Sequence, residues 1–475
     1  MNRRRSIPLK NPNRTPFRYS GHLVAGTVIG FFVLGSIVLH ADDEPPLLPQ
    51  GPLLLTSVKP EQLNPDYWIQ KLSDPDQPVK IPKELEEFND YIRSLIPQRM
   101  DIFKLKPVRA GKEITEEFEH VLTALKSRRL YDTDNNIIPK TFFDAEITPM
   151  IQSDAVPSKI KVRWGAAKKA APVRALPSDV KLLEKPYDIE FDQLQFTLIK
   201  PWTPVAIFHE SKDRKWFFIQ APYTRGWVHA KEITVFPSRG TLKKYVKSSR
   251  FLSVTGESIS VFYDTGLQNP AIQASMGTVI PLKAQNPTFY TVWLPGKNSA
   301  DEDEVVEEAY ISKKSDVSAG YLPYTQANMI RQAFKLLASR YGWGGMYDGR
   351  DCSAFTHDVF LSLGVDMPRN SHEQAFVGTK LGFFNPFSDS EMKEQVLEEA
   401  RPGITLLAMP HHMMIYIGKE NGLYYVIHST WAERIAADSD KKNRINQVVV
   451  SDLSLNGNSY LGSLFDRIVS MNEVA

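Results

Sequence analysis

Cysteine is almost absent: Cys352 is the only one in 475 residues. A lone thiol can form neither an intramolecular disulfide nor a multi-cysteine zinc site, so its value lies in packing or in reactivity. An excess of one charge is missing too. Lys and Arg number 57 against 55 Asp and Glu, and no basic stripe marks a nucleic-acid surface. Even the small positive balance is local. Arg3, Arg4, Arg5, Lys10, Arg14 and Arg18 fall in the first 41 residues, with no acid among them. No cysteine stands near the apolar stretch that follows, Leu23 to Leu39, which excludes a lipid-modified cysteine there.

That stretch of seventeen residues, with a basic tail before it and the small Ala41 after it, has the make-up of a secretory signal. It is also just long enough to span a bilayer as an uncleaved anchor. Export is expected in either case. Missing disulfides are compatible with export where the domains have adequate cores. The length exceeds one ordinary core, and roughly three or four domains are expected.

The chain divides by pattern. Residues 1–41 read as signal peptide or membrane anchor, and 42–54 as a linker with Pro45, Pro46, Pro49 and Pro52. Residues 55–155 carry amphipathic helical runs at Lys83–Leu95 and Glu113–Leu130 and read as a helical domain. From 156 to 236 the pattern changes to short β runs, among them Phe191–Ile199, Pro204–His209 and Trp216–Ala221. Close spacing of such strands suggests a small barrel. Residues 237–318 repeat it: Phe289–Leu294 and Glu308–Lys314 echo 216–221 and 226–232. The acidic run Asp301–Glu304 reads as a solvated hairpin loop. A last domain, 319–475, opens on a helix with Thr325 as its candidate N-cap.

Cys352 sits in this last domain, after the glycine-rich run Tyr341-Gly-Trp-Gly-Gly and at the head of a helical pattern of Phe355, Val359 and Leu363. A sulfur at a helix N-terminus meets unpaired N–H groups and the positive end of the dipole, which favour thiolate. Packing as a small buried hydrophobe is the alternative. Residues 404–418 form an apolar strand pattern carrying His411 and His412, and a turn at Glu420-Asn421-Gly422 leads to a second strand with Val426 and His428 on one face. A cysteine nucleophile needs a base and a third polar group to orient that base, and such a hairpin supplies both. Alternation points His411 away from His412. His357, five residues past the cysteine, reads as solvated, and His372 as bland. Met409, Met413 and Met414 read as core filler. Residues 380–400 read as an insertion whose Phe383–Phe387 run forms a cleft wall or a packed loop.

Asp351-Cys352-Ser353, His412-x-x-x-Tyr416-Ile417-Gly418 and His428, together with Tyr341-Gly-Trp-Gly-Gly and Pro368-Arg-Asn-Ser371, resemble the NlpC/P60 cysteine peptidases over about residues 320–470. Tyr223–Ile233 resembles the closing strand of bacterial SH3 domains. The resemblance implies a multidomain α+β protein. It would comprise a helical N-terminal domain, two small SH3-like β-barrels and a C-terminal papain-like α+β domain with the cysteine helix packed on the histidine-bearing sheet. It implies Cys352 as nucleophile, His412 as general base and His428 as the orienting group. The substrates would be bacterial cell-wall (peptidoglycan) stem peptides, cut between D-glutamate and a diamino acid, in the periplasm, with possible anchoring through 23–39. Family members with a barrel beside the cleft require a free N-terminal L-alanine amine. Asp351 matches the position of its acidic partner, with helix capping as the alternative. Ser353, Tyr341 and Ser371 match its pocket neighbours. No metal or organic cofactor is implied. A non-catalytic peptidoglycan-binding protein, or an amidase or acyltransferase using the same side chains, are the competing readings.

Overall fold

The computed structural model describes residues 51–475 except 98, 299–303, 386–389 and 437–440. The apolar stretch 23–39 and most of the acidic run 301–304 lie outside the described residues. Among those described, no helix is long and apolar enough to cross a membrane.

Three antiparallel sheets carry the architecture. The first β region is a seven-stranded sheet with the order 195–199, 171–174, 224–229, 216–221, 204–210, 163–167 and 233–236. The second has seven strands in the order 270–275, 258–262, 306–312, 289–295, 279–285, 251–254 and 317–319. Ranked along the chain, the two orders are identical (third, second, sixth, fifth, fourth, first, seventh). The echo between 216–221 and 289–294 is therefore one of topology. Between them lies a helix that sequence patterning missed, Arg239–Val246, with Ser238 capping the Thr241 N–H at 3.0 Å.

The helices before residue 156 do not enclose a core of their own. Helix α1 (Pro82–Leu95) buries Phe88 and Ile92 in the same apolar cluster as Phe355, Val359 and Ile427 of the C-terminal region. Helix α2 (Gly111–Lys126) instead buries Ile114, Phe118 and Val121 against Trp227 and Phe218 of the first β region. Two amphipathic stripes with no facing partner must bury against whatever apolar surface is near; here they choose different surfaces, so the expected separate helical domain dissolves into its neighbours. A strap at 55–72 does the same. Trp68 is buried against Tyr425, with ring centroids 5.1 Å apart, and a Cβ at Gly418 (φ +143°) would meet the indole at 3.1 Å.

In the C-terminal region helix α3 (Gln326–Lys335) is capped by Thr325, whose hydroxyl accepts the Asn328 N–H at 3.1 Å. Helix α4 (Cys352–Ser362) packs against a six-stranded sheet. Its strands are β1 (Thr379–Phe383), β2 (Thr405–Met409), β3 (His412–Glu420), β4 (Leu423–Arg434), β5 (Lys442–Asp452) and β6 (Ser470–Glu473), in the order β1-β6-β2-β3-β4-β5. The single strand expected over 404–418 is two, because Pro410-His411 forms a tight turn with His411 at φ +65° and Met409 paired to His412. Asn421 and Gly422, at φ +50° and +81°, close the next hairpin where a turn was expected. The 380–400 segment is not a simple insertion. It begins with the edge strand β1, buries Phe384 and leaves Phe383 70% exposed, while Phe387 lies outside the described residues.

Candidate active site

Cys352 is the first residue of α4, and Asp351 makes it so. The Asp351 carboxylate accepts the Ala354 N–H at 2.8 Å, satisfying a donor that helix geometry leaves orphaned. The loop before it is shaped by Gly344 and Gly345, at φ +56° and +82°. A Cβ on Gly344 would lie 2.9 Å from the Gln195 carbonyl oxygen, so glycine there lets the first β region sit directly against the cysteine loop. Gln195 Nε2 closes the contact by donating to the Gly344 carbonyl at 2.8 Å.

The histidines come together as alternation requires. Ile415 pairs with Ile427, so Met414 lies opposite His428 and His412 is diagonal to it on the same face. His412 Nε2 is 2.7 Å from His428 Nδ1, and His428 Nε2 is 3.0 Å from Ser451 Oγ on β5. A ring nitrogen is donor or acceptor by tautomer, and this chain has a self-consistent assignment. In the tautomer pair that leaves His412 a basic nitrogen, His428 donates from Nε2 to Ser451 and accepts at Nδ1 from His412 Nε2–H, while the reverse polarity fits the same distances. His412 Nδ1 is then the unprotonated nitrogen available to a thiol. Ser451 was not singled out from sequence; the signal available was its place in an apolar strand.

Cys352 faces the start of β3. Its Sγ lies 3.8 Å from the His411 carbonyl oxygen, and the Met413 and Ser353 backbone N–H groups donate to it. The expected thiolate does not follow. Burial, reinforced by the Asp351 charge, pushes the thiol up to about 12, against the pull of those amides and Arg369. Burial, with Arg467 nearby, pushes His412 down to about 4, and burial with His412 holds His428 well below its usual range. Both shifts favour the neutral forms, thiol and imidazole.

Asp351 and Ser353 are where sequence placed them, but engaged. Asp351 Oδ1 accepts from Ala354 N–H, Ser353 Oγ and Arg369 Nη1, and Oδ2 accepts from the Gly344 N–H at 3.0 Å and Arg369 Nη2 at 2.6 Å. Burial works to raise this carboxyl, but Arg369 outweighs it and the net shift is downward. Arg369 also binds Ser353 Oγ at 2.9 Å and Thr197 Oγ1 of the first β region at 2.8 Å. The capping role expected of Asp351 is seen; a carboxylate open to a substrate amine is not, because its lone pairs are filled. Arg369, quoted only within its motif, is the residue whose role sequence reasoning missed.

Tyr341 is buried beside the site, and burial together with the charges of Cys352 and Asp351 raises its phenol well above the usual range. It belongs to an aromatic wall shared between two regions. Phe191 stands 5.6 Å from Trp343, 5.5 Å from Trp431 and 6.3 Å from Tyr341, centroid to centroid. Ser371 begins the short turn Ser371–Gln374 two residues after Arg369, and no hydrogen bond joins it to Cys352, His412 or His428 among the described residues. His411 is exposed on its turn, and His372 is exposed with its ring edge-on to Phe376. Met409, Met413 and Met414 are buried, as expected. His357 is not solvated. It is 2% exposed, with Nδ1 3.1 Å from Asp358 and its ring edge-on to Tyr223, because the face of α4 away from the sheet is covered by the first β region.

Comparison with known proteins agrees with this geometry. Residues 338–453 match the NlpC/P60 family, and residues 182–229 match an SH3 domain of the SH3b1 type. The C-terminal region is an NlpC/P60 domain, preceded by an SH3 domain. Two curated relatives, both named gamma-D-glutamyl-L-lysine dipeptidyl-peptidase, come from Bacillus cereus (25% identical over 221 residues) and Bacillus subtilis (26% over 151 residues). The alignments cover 44% and 31% of this chain, and 57% and 44% of those relatives. An NlpC/P60 endopeptidase from Photobacterium damselae subsp. piscicida has the same fold, with a TM-score of 0.69 at 17% identity over 86% of this chain and 96% of its own.

Proposed function

We propose that the protein is a cysteine peptidase acting on bacterial cell-wall stem peptides at the bond between γ-D-glutamate and a diamino acid. The observation that supports this reading is the His412, His428 and Ser451 chain on the NlpC/P60 domain, with Cys352 facing the start of the strand that carries His412. The names of the Bacillus relatives supply the bond. Because burial holds the pair neutral, attack is coupled to proton transfer. Sγ bonds the scissile carbonyl carbon as its proton passes to His412 Nδ1, and the resulting imidazolium protonates the departing amine. Water, deprotonated by His412, then hydrolyses the thioester and restores the thiol. The Cys352 N–H at the start of α4 is the proposed oxyanion donor.

The wall of Phe191, Tyr341, Trp343 and Trp431 suits an N-terminal ammonium, since aromatic faces attract cations. In this reading Asp351 contributes field rather than a direct hydrogen bond. The apolar stretch 23–39 supports export to the periplasm, which cell fractionation would test. The decisive assay is mass spectrometry of L-Ala-γ-D-Glu-diamino-acid peptides after incubation with the protein. Release of L-Ala-D-Glu is expected, with N-acetylated and glycan-linked peptides cut poorly. Substantial turnover by Cys352→Ala, or preference for glycan-linked stems, would overturn it.

A further inference from the structure

We infer that Arg467 binds a carboxylate on the leaving residue of the substrate and so selects which stem peptides are cut; this rests on the peptidase reading above. Arg467 ends the short helix Leu464–Arg467, just before β6. Ser470 of β6 pairs with Ala408 of β2, and the Val469 N–H donates to the Ala408 carbonyl at 2.8 Å. Followed back along the chain, that antiparallel register brings Arg467 beside the Pro410-His411 turn. The same turn leads into His412, and its His411 carbonyl lies 3.8 Å from Cys352 Sγ. The charge of Arg467 reaches both His411 and His412 and helps to lower them.

Arg467 is half-buried, and among the described residues no ion pair or hydrogen bond engages its guanidinium. The charged or titratable groups felt there are Arg434, at the end of β4, and Tyr460. The adjacent Asp466 is taken up by its own cap, accepting from the Ser463 N–H at 2.8 Å and Ser463 Oγ at 2.7 Å. A partly desolvated guanidinium beside a second cation, with no anion paired to it, favours an anionic ligand, and a carboxylate fits its fork. The strand order decides which end of the substrate supplies it. In β6-β2-β3-β4, His412 of β3 stands between Arg467 and Trp431 of β4. A peptide with its N-terminal ammonium at the aromatic wall therefore crosses His412 with its departing amine and delivers the leaving diamino acid to Arg467. That residue has a carboxylate beside the departing amine, and diaminopimelate has a second at its far end, where lysine has none.

The test is kcat/KM of the full chain for release of L-Ala-D-Glu from L-Ala-γ-D-Glu-L-Lys, from its C-terminal amide, and from L-Ala-γ-D-Glu-meso-diaminopimelate amidated at the carboxyl beside the scissile bond. The parent should cut at least one carboxylate peptide about tenfold or more faster than the lysine amide, which has no carboxylate on its leaving residue. A gap for the lysine acid assigns the carboxylate beside the departing amine; a gap for the diaminopimelate amide assigns the distal one. Arg467→Met and Arg467→Gln should bring that ratio close to one, and Arg467→Lys should keep part of it. Because a ratio is read, any effect of these variants on His412 cancels. The inference is overturned if the parent cuts all of these peptides alike, or if either neutral variant, folded, keeps the parent's ratio; both results leave the peptidase reading standing. No release of L-Ala-D-Glu from any of the peptides overturns the two together.

Discussion

Replacing Asp351 by Asn should move stability and thiol reactivity in opposite directions. The native carboxylate takes five donors, two of them from Arg369, at a site almost closed to water. Asparagine keeps one acceptor oxygen but turns an NH₂ toward Arg369 Nη2 or the Gly344 N–H, and it leaves the guanidinium charge uncompensated. Breaking one side of a buried ion pair costs about 3–5 kcal/mol. Urea unfolding of the NlpC/P60 domain should shift by that order. The same change removes the anion that helps keep Cys352 protonated and leaves the Arg369 cation, which favours thiolate. Each unit by which the thiol falls from about 12 multiplies the thiolate fraction near pH 8 by about ten. Iodoacetamide should therefore alkylate the parent slowly and folded Asp351→Asn about tenfold faster or more. Unchanged stability would show that the Arg369 contacts do not hold the helix start. Slower alkylation would refute the electrostatic account of the raised thiol.

Two further expectations follow from the same geometry. Ser451→Ala removes the partner that fixes the His428 tautomer, so kcat/KM should fall about tenfold, near 1.4 kcal/mol, with the unfolding midpoint little changed; retention of full activity would remove Ser451 from the relay. Acid stability should reflect His357 and His412, both lowered from 6.5 to about 4 by burial. Groups with depressed pKa values add stability above the unfolded value and lose it as pH falls through the folded one. Stability should thus decline between about pH 6.5 and 4, and His357→Gln should flatten that decline; an identical acid profile would refute neutral burial of His357.

The sequence alone marked Cys352, His412 and His428 as one candidate site. A single thiol at a helix start, followed by two histidines on strands with period-two alternation, leaves few arrangements, and the hairpin closed at Asn421-Gly422 brought His412 and His428 to 2.7 Å. It also located the Thr325 cap and the β repeat, since caps and strand patterns are written in local residue order. What only the tertiary structure decided are quantities that depend on who covers whom. Burial beside the start of β3, together with the Asp351 charge, pushed the Cys352 thiol up where the helix start alone had pointed to thiolate. Arg369, eighteen residues away in sequence, filled the carboxylate of Asp351. The covering SH3 domain buried His357. The two amphipathic helices of the N-terminal segment joined separate cores, because an apolar stripe specifies that it must be covered and leaves open by what.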